Sequence, residues 1–297
     1  MEQPGHLLRL ALAAESPLQI VGVINAFAAQ LAKSVGFRAV YLSGAGIANA
    51  QFSLPDLGLT SLNDVTEECL RITGSTDLPL LVDADTGWGN PLNVSRTFKM
   101  LSRAGAAGAH IEDQDEAKRC GHRSGKKLIS QANMVSKISA AVDGRCDPSF
   151  WVMARTDALA GEGQERTLER ALAYEAAGAD AIFLEAATSL TQYQFFVERL
   201  KIPVLANVTE FGQTPLFTTE ELKGAGVKMA LYPLTAFRIM SAAALNTYST
   251  LRRQGTQSSL LPFMMTRDNL YGYLDYQRFE YRLDEYQSAQ EKNNGSD

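Results

Sequence analysis

Cysteine, histidine and tryptophan are scarce here: three, three and two residues in a chain of 297. Three widely spaced cysteines, Cys69, Cys120 and Cys146, do not make a disulfide framework, because an odd count leaves one unpaired. They suit a reducing, cytoplasmic setting. Long apolar runs are missing as well. Nothing approaches the ~18 residues that cross a bilayer, and Met1 to Leu18 carries Glu2 and Glu15 without the layout of a signal peptide. No membrane partner is expected. Nor is there a surplus of positive charge. A net charge of −5 argues against nucleic acid as the main partner, since such domains present a basic surface. Finally, no Gly-x-Gly-x-x-Gly follows the first strand-like run and no Gly-x-x-x-x-Gly-Lys loop occurs. That removes the usual dinucleotide and phosphate cradles.

What the chain does have is a regular alternation. Short apolar runs rich in β-branched residues fall at Ile20–Asn25, Ala39–Ser43, Leu80–Asp83, Gly108–Glu112, Trp151–Arg155, Ala181–Glu185, Val204–Asn207 and Val227–Tyr232, with helical stretches between them. Such runs read as buried parallel strands. Gly36, Gly105, Gly178 and Gly226 each end a helix-like segment and lead at once into a strand, which marks a repeated βα unit. Eight units close into a (β/α)8 barrel; an open doubly wound sheet is the alternative. Residues 1–297 then read as one barrel domain with a C-terminal helical segment over 235–286. That segment has a helix from Thr235 to Arg253 and a second from Asp268 to Tyr286. The aromatic stripe of the second (Tyr273, Tyr276, Phe279, Tyr281) should pack on something, its own barrel more simply than a neighbouring subunit. Residues 287–297 read as a frayed tail.

In such a barrel, polar residues at the carboxyl ends of the strands build the site. The second strand ends in Ser43-Gly44-Ala45-Gly46. This is either a plain tight turn or one that aims backbone N–H groups at an anion. The third ends in Asp83-Ala-Asp85, two carboxylates that an extended strand puts on one face. Burying both unpaired is costly. A hard cation such as Mg2+ explains them, because it takes oxygen ligands and keeps several waters; one of the pair could instead cap the next helix. The fourth strand offers His110 and Glu112 on one face. His110 is either a hydrogen-bonded core residue or part of the site, and Glu112 could reach a metal through water. Arg155 ends the fifth strand as a bidentate fork for a carboxylate. Glu185, then Asn207-Val208-Thr209, end the next two, Arg238 follows the eighth, and Arg267 opens the last helix. The inventory describes a pocket for a small polyanion such as a tricarboxylate.

Lys118-Arg119-Cys120-Gly121-His122-Arg123 sets one cysteine among cationic residues, with Lys126 and Lys127 close behind. Positive neighbours favour thiolate over thiol, which suits proton transfer near neutral pH. A solvated basic loop with an incidental cysteine is the plain alternative. Supporting segments are Tyr41-Leu-Ser-Gly-Ala-Gly46, Asp83-Ala-Asp-Thr-Gly-Trp-Gly89, His110-Ile-Glu-Asp-Gln114, Ala154-Arg-Thr-Asp-Ala158, Ala206-Asn-Val-Thr-Glu-Phe-Gly212 and Tyr232-Pro-Leu-Thr-Ala-Phe-Arg238. Together, over nearly the whole chain, they resemble the isocitrate lyase and phosphoenolpyruvate mutase superfamily in its lyase branch.

The resemblance implies a (β/α)8 barrel whose eighth helix is swapped between subunits of a homodimer or homotetramer. It implies Mg2+ and retro-Claisen cleavage of 2-methylisocitrate to pyruvate and succinate, in the methylcitrate route of propionate breakdown. Asp83 and Asp85 are implied as metal-side carboxylates, with Asp56, His110 and Glu112 in their shell. Ser43, Gly44 and Ala45 match the turn that holds the pyruvate carboxylate. Ala45 departs from a common glycine, yet its N–H survives. Cys120 and Gly121 match a mobile lid, with Lys118 and His122 beside them as catalytic candidates. Arg155, Glu185, Asn207, Val208, Thr209, Arg238 and Arg267 match the substrate contacts. Cys120 would give a proton to the departing carbon; Tyr41, or Glu112 through a water, would take the hydroxyl proton. Isocitrate cleavage to glyoxylate and succinate is the near alternative, since one methyl in an apolar pocket discriminates by only ~1–3 kcal/mol. The short chain and the Lys-Arg before Cys120 favour the methylated substrate. Cys120 speaks against a phosphonate or oxaloacetate enzyme of this fold. Intact Asp83, Asp85, Cys120 and Arg155 speak against an inert scaffold.

Overall fold

The computed structural model describes residues 2–123 and 125–294. Eight strands pair in sequence order, all parallel, and the last closes on the first. They are β1 (Leu18–Gly22), β2 (Ala39–Leu42), β3 (Leu80–Asp83), β4 (Gly108–Glu112), β5 (Trp151–Thr156), β6 (Ala181–Leu184), β7 (Val204–Asn207) and β8 (Met229–Tyr232). The closed barrel is therefore the observed form, not the open sheet.

Alternating side chains explain the near-continuous apolar character of each strand. One set, including Ile20, Tyr41, Leu81, Met153, Phe183, Leu205 and Leu231, packs inside the barrel. The other, including Val40, Val82, Ala109, Val152 and Ile182, packs outward with the helices. Leu8 and Ala11, from an N-terminal helix Pro4–Ala14, join the inner set and close the barrel's amino end. Gly36, Gly105, Gly178 and Gly226 have φ of +95°, +85°, +101° and +80°. A side chain would be strained there, so the repeated glycine is what lets each helix end and turn directly into a strand.

Some boundaries differ from the sequence expectation. β1 stops at Gly22 and not at Asn25, because Asn25 caps helix Ala26–Ser34 by accepting from the Ala28 N–H (2.9 Å). β8 starts at Met229, two residues after the expected Val227.

The chain divides into two compact units, Met1–Ile239 and Met240–Asp297. The second holds most of a long helix (Thr235–Gln254), a short 3-10 turn (Ser258–Phe263) and two helices where one was expected: Arg267–Tyr273 and Tyr276–Asn294. The break falls at Asp275 (φ +53°), whose carbonyl accepts from the Arg278 N–H (3.1 Å) and so starts the next helix. That helix runs through 287–294, where a frayed tail was expected; 295–297 lie outside the described residues. The expected aromatic stripe is split by the break: Tyr273 ends the first of the two helices, Tyr276 stacks on Tyr271 (4.3 Å), and Phe279 and Tyr281 are 70% and 65% exposed.

Cys69 is fully buried, and burial pushes its thiol up to about 12, with a backbone hydrogen bond at Ala106 opposing. Cys120 and Cys146 are exposed. At pH 8 a thiol reagent should therefore titrate two groups in the native protein and the third only in denaturant. Three fast-reacting thiols in the native protein would contradict this placement.

Candidate active site

The carboxyl ends of β2, β3 and β4 hold one half of the site. Tyr41 donates its hydroxyl to Asp83 Oδ2 (3.3 Å) and lies 2.9 Å from His110 Nε2. The Gly44 N–H donates to Asp83 Oδ2 (3.0 Å), and the Asp85 N–H to Asp83 Oδ1 (3.0 Å). Asp85 lies beyond the strand with φ +48°. The two carboxylates thus converge through a left-handed turn, not through strand alternation as their spacing suggests. A methyl carbon placed on Gly44 would sit 3.2 Å from Asp83 Oδ2 and 3.1 Å from Asp85 Oδ1, so both oxygens face one spot. Lys118 contacts Asp85 Oδ1 and lies 2.7 Å from Asp56 Oδ1. Burial raises Asp85 to about 6 although Lys118 opposes it. His110 is fully buried, which lowers it to about 4, and it packs edge-on to Phe183. It is a neutral, hydrogen-bonded core residue at neutral pH.

The other half is built on Arg155 at the end of β5. Its guanidinium grips Asp157 through Nε (2.9 Å) and Nη2 (3.2 Å), and stands 3.2 Å from Glu112 Oε2 and 3.5 Å from Glu185 Oε2. Burial would raise Glu185, but Arg155 and His122 bring it down to about 2, so it stays ionised. His122 Nε2 lies 2.7 Å from Glu185 Oε1, while His122 Nδ1 accepts from the Gln213 N–H (2.9 Å). That second bond assigns the ring proton to Nε2, where it donates to Glu185. Asn207 Nδ2 also donates to Glu185 (3.3 Å).

The cysteine loop lies over both halves. Lys118 reaches Asp85, His122 reaches Glu185, and Lys126 reaches Asp157 (3.0 Å). A Cβ on Gly121 would fall 2.4 Å from Arg155 Nη2 and 2.6 Å from Glu185 Cγ, so only glycine permits so close an approach. Cys120 sits between these anchors and is exposed. Of the residues expected to act on its sulfur, Lys118, His122 and Lys126 are turned to the pocket's carboxylates.

A family model described as phosphoenolpyruvate phosphomutase matches residues 8–252. The 2-methylisocitrate lyase of Salmonella typhimurium is 54% identical over 285 residues, covering 96% of this chain and 97% of that protein. Among solved structures, 2,3-dimethylmalate lyase, a PEP mutase/isocitrate lyase superfamily member, superposes with a TM-score of 0.87 at 36% identity, over 94% of both chains. Oxaloacetate acetylhydrolase in complex with 3,3-difluorooxalacetate gives 0.87 at 34% identity, over 99% of this chain and 97% of the other. The chain belongs to the isocitrate lyase and phosphoenolpyruvate mutase superfamily.

This superfamily is metal-dependent, and the residues present fit a hydrated divalent cation. Among the described residues no three His, Cys, Asp or Glu side chains close into a metal cage. A cation that takes one or two carboxylates and fills its shell with water needs none. Both Glu112 oxygens are buried without a hydrogen-bond partner; Oε2 faces the Arg155 guanidinium at 3.2 Å, and Oε1 is left for an ion or water.

Within the superfamily's barrel, Ser43 caps helix Gly44–Phe52 without spending its side chain on the cap. The N–H groups of Ala45 and Gly46 lie in that helix's first turn, which has no intrahelical acceptors. Val208 and Thr209 are buried at the end of β7, but the Val208 N–H is taken by Leu231 O (2.8 Å) and offers a ligand nothing. Arg238 pairs with Glu210 (3.3 Å). Arg267 is exposed in the C-terminal unit. The sequence reading gave no site role to Asp113, Lys126, Asp157 or Gln213. Asp157 carried a signal, standing two residues after Arg155 at the same strand end; Gln213, 91 residues from its partner His122, carried none.

Proposed function

We propose that this chain cleaves 2-methylisocitrate to pyruvate and succinate with a divalent cation, Mg2+, held by Asp83 and Asp85, with Asp56 and Glu112 around them. The observation that carries the reading is the cysteine loop, pinned by Lys118 and His122 to carboxylates of the two halves of one pocket. The cation supplies Lewis-acid polarisation of the substrate's hydroxyl and of the carbonyl that replaces it. The protein's groups do the rest. The Ser43–Gly46 turn receives the carboxylate of the pyruvate half. Glu112, with both oxygens free of hydrogen bonds, accepts the hydroxyl proton through a water, while the Tyr41 hydroxyl is already engaged by Asp83 and His110. As the carbon–carbon bond breaks, its electron pair stays on the succinate half, where Arg155 offsets the charge. Cys120 then gives its proton to that carbon and is left as thiolate.

Isocitrate is not the favoured substrate. The apolar residues exposed on the C-terminal unit, such as Phe263 (87% exposed) and Phe279, support pairing with a second copy in a dimer or tetramer with swapped helices. No described helix is long and apolar enough to cross a membrane, and unpaired thiols suit the cytoplasm.

A coupled assay for pyruvate tests the proposal. Pyruvate should appear from 2-methylisocitrate with Mg2+ and stop with EDTA. Glyoxylate release from isocitrate at an equal or greater rate would reassign the substrate, and activity undiminished by EDTA would remove the metal.

A further inference from the structure

Lys118, His122 and Lys126 of the loop each meet a carboxylate, and the proposed reaction gives the third pair, Lys126 with Asp157, no role. Lys126 Nζ is 3.0 Å from Asp157 Oδ1 and also contacts the carbonyl oxygen of Gly121. Its side chain is 9% exposed. Asp157 is the carboxylate that grips Arg155 at two nitrogens. Its own position is fixed from behind. The Asp157 N–H donates to Asp113 Oδ1 (2.8 Å), and Asp113 Oδ2 accepts from the hydroxyls of Thr156 (2.8 Å) and Tyr174 (2.9 Å). One buried carboxylate therefore orients the guanidinium on one side and receives the lid's ammonium on the other.

We infer that Lys126 and Asp157 form a latch: they are positioning residues that tie the seating of the Cys120–Gly121 turn to the orientation of Arg155. This rests on the function proposed above. Charge balance gives the latch its direction. Arg155 alone faces Glu112, Asp157 and Glu185. Lowering the loop brings Lys126 and a hydrogen-bonding His122 to two of these, and in a buried setting unneutralised carboxylates are costly. The bond to Gly121's carbonyl then holds the turn at the point where it presses on Arg155 and Glu185. The adjacent Lys127 is exposed and has no ion pair among the described residues, so charge on the loop in general is not the device.

Lys126→Ala, Lys126→Arg, Lys127→Ala, Asp157→Asn and the Lys126→Ala/Asp157→Asn double variant should be compared in the full-length enzyme. Losing one charge-assisted hydrogen bond predicts that Lys126→Ala lowers kcat/KM for pyruvate release by ~30-fold, mostly through kcat. Lys126→Arg should recover much of this and Lys127→Ala should stay within ~2-fold of wild type. The double variant should be no worse than Asp157→Asn, because the two residues act as a unit. Trypsin cleavage after Arg119 or Arg123 should be faster in Lys126→Ala with no substrate present. Wild-type kinetics and wild-type cleavage in Lys126→Ala, or additive losses in the double variant, would overturn the latch. If the wild-type enzyme releases no pyruvate from 2-methylisocitrate, the functional proposal fails, while the cleavage comparison still decides the latch.

Discussion

Turnover of 2-methylisocitrate falls by ~10³-fold or more when Cys120 becomes serine, while KM moves only a few fold. The size follows from the step proposed for Cys120. A carbanion-like centre must be protonated before it recombines with the carbonyl beside it, and a serine hydroxyl is a far weaker acid than a thiol. The proposed binding groups are others: the Ser43–Gly46 turn, Arg155 and the residues ending β7. Serine also leaves the loop's anchors alone, because Lys118, His122 and Lys126 are bonded to Asp85, Glu185 and Asp157 and not to the sulfur. Since Cys120 is exposed, no core packing is lost and stability should stay within ~0.5 kcal/mol. Steady-state kinetics, with a denaturation curve as control, separate the two quantities. Near-normal turnover in the variant would remove Cys120 as proton donor.

The barrel was legible in the sequence for a local reason. Buried parallel strands are short and apolar throughout, and each helix-to-strand joint needs a residue at positive φ, so Gly36, Gly105, Gly178 and Gly226 punctuate the chain visibly. Polar residues at strand ends were legible too, because an apolar run that stops at Asp83, Glu112, Arg155 or Asn207 breaks its own pattern. What stayed hidden was partnership. Cationic residues around Cys120 suggested a field on the sulfur, yet Lys118 serves Asp85, 33 residues away in the chain, and His122 is oriented by Gln213, 91 residues away. No local pattern encodes such pairs. The reasoning that put Asp83 and Asp85 on one strand face reached the right convergence by the wrong geometry, since Asp85 is not in the strand. The break at Asp275 was hidden for a similar reason: a left-handed aspartate looks like any other polar residue in a helical stretch.

The second large effect is at Arg155, and it separates charge from shape. Its guanidinium serves Glu112, Asp157 and Glu185 at once and is 9% exposed. Arg155→Met leaves those three carboxylates without their shared cation. Breaking a buried pair by removing one partner costs ~3–5 kcal/mol, so the urea midpoint should drop sharply at an unchanged slope. Arg155→Lys keeps a positive charge in the cluster but loses the planar fork that reaches Asp157 through two nitrogens and still presents a third to Glu112. It should fold with most of the wild-type stability yet lose ~10²–10³-fold in kcat, the cost of removing an oriented donor from developing charge. The same order of loss in both assays for both variants would mean that Arg155 is a structural cation only. A lysine variant that folds and fails to turn over would mean that the direction of its N–H bonds is what the reaction uses.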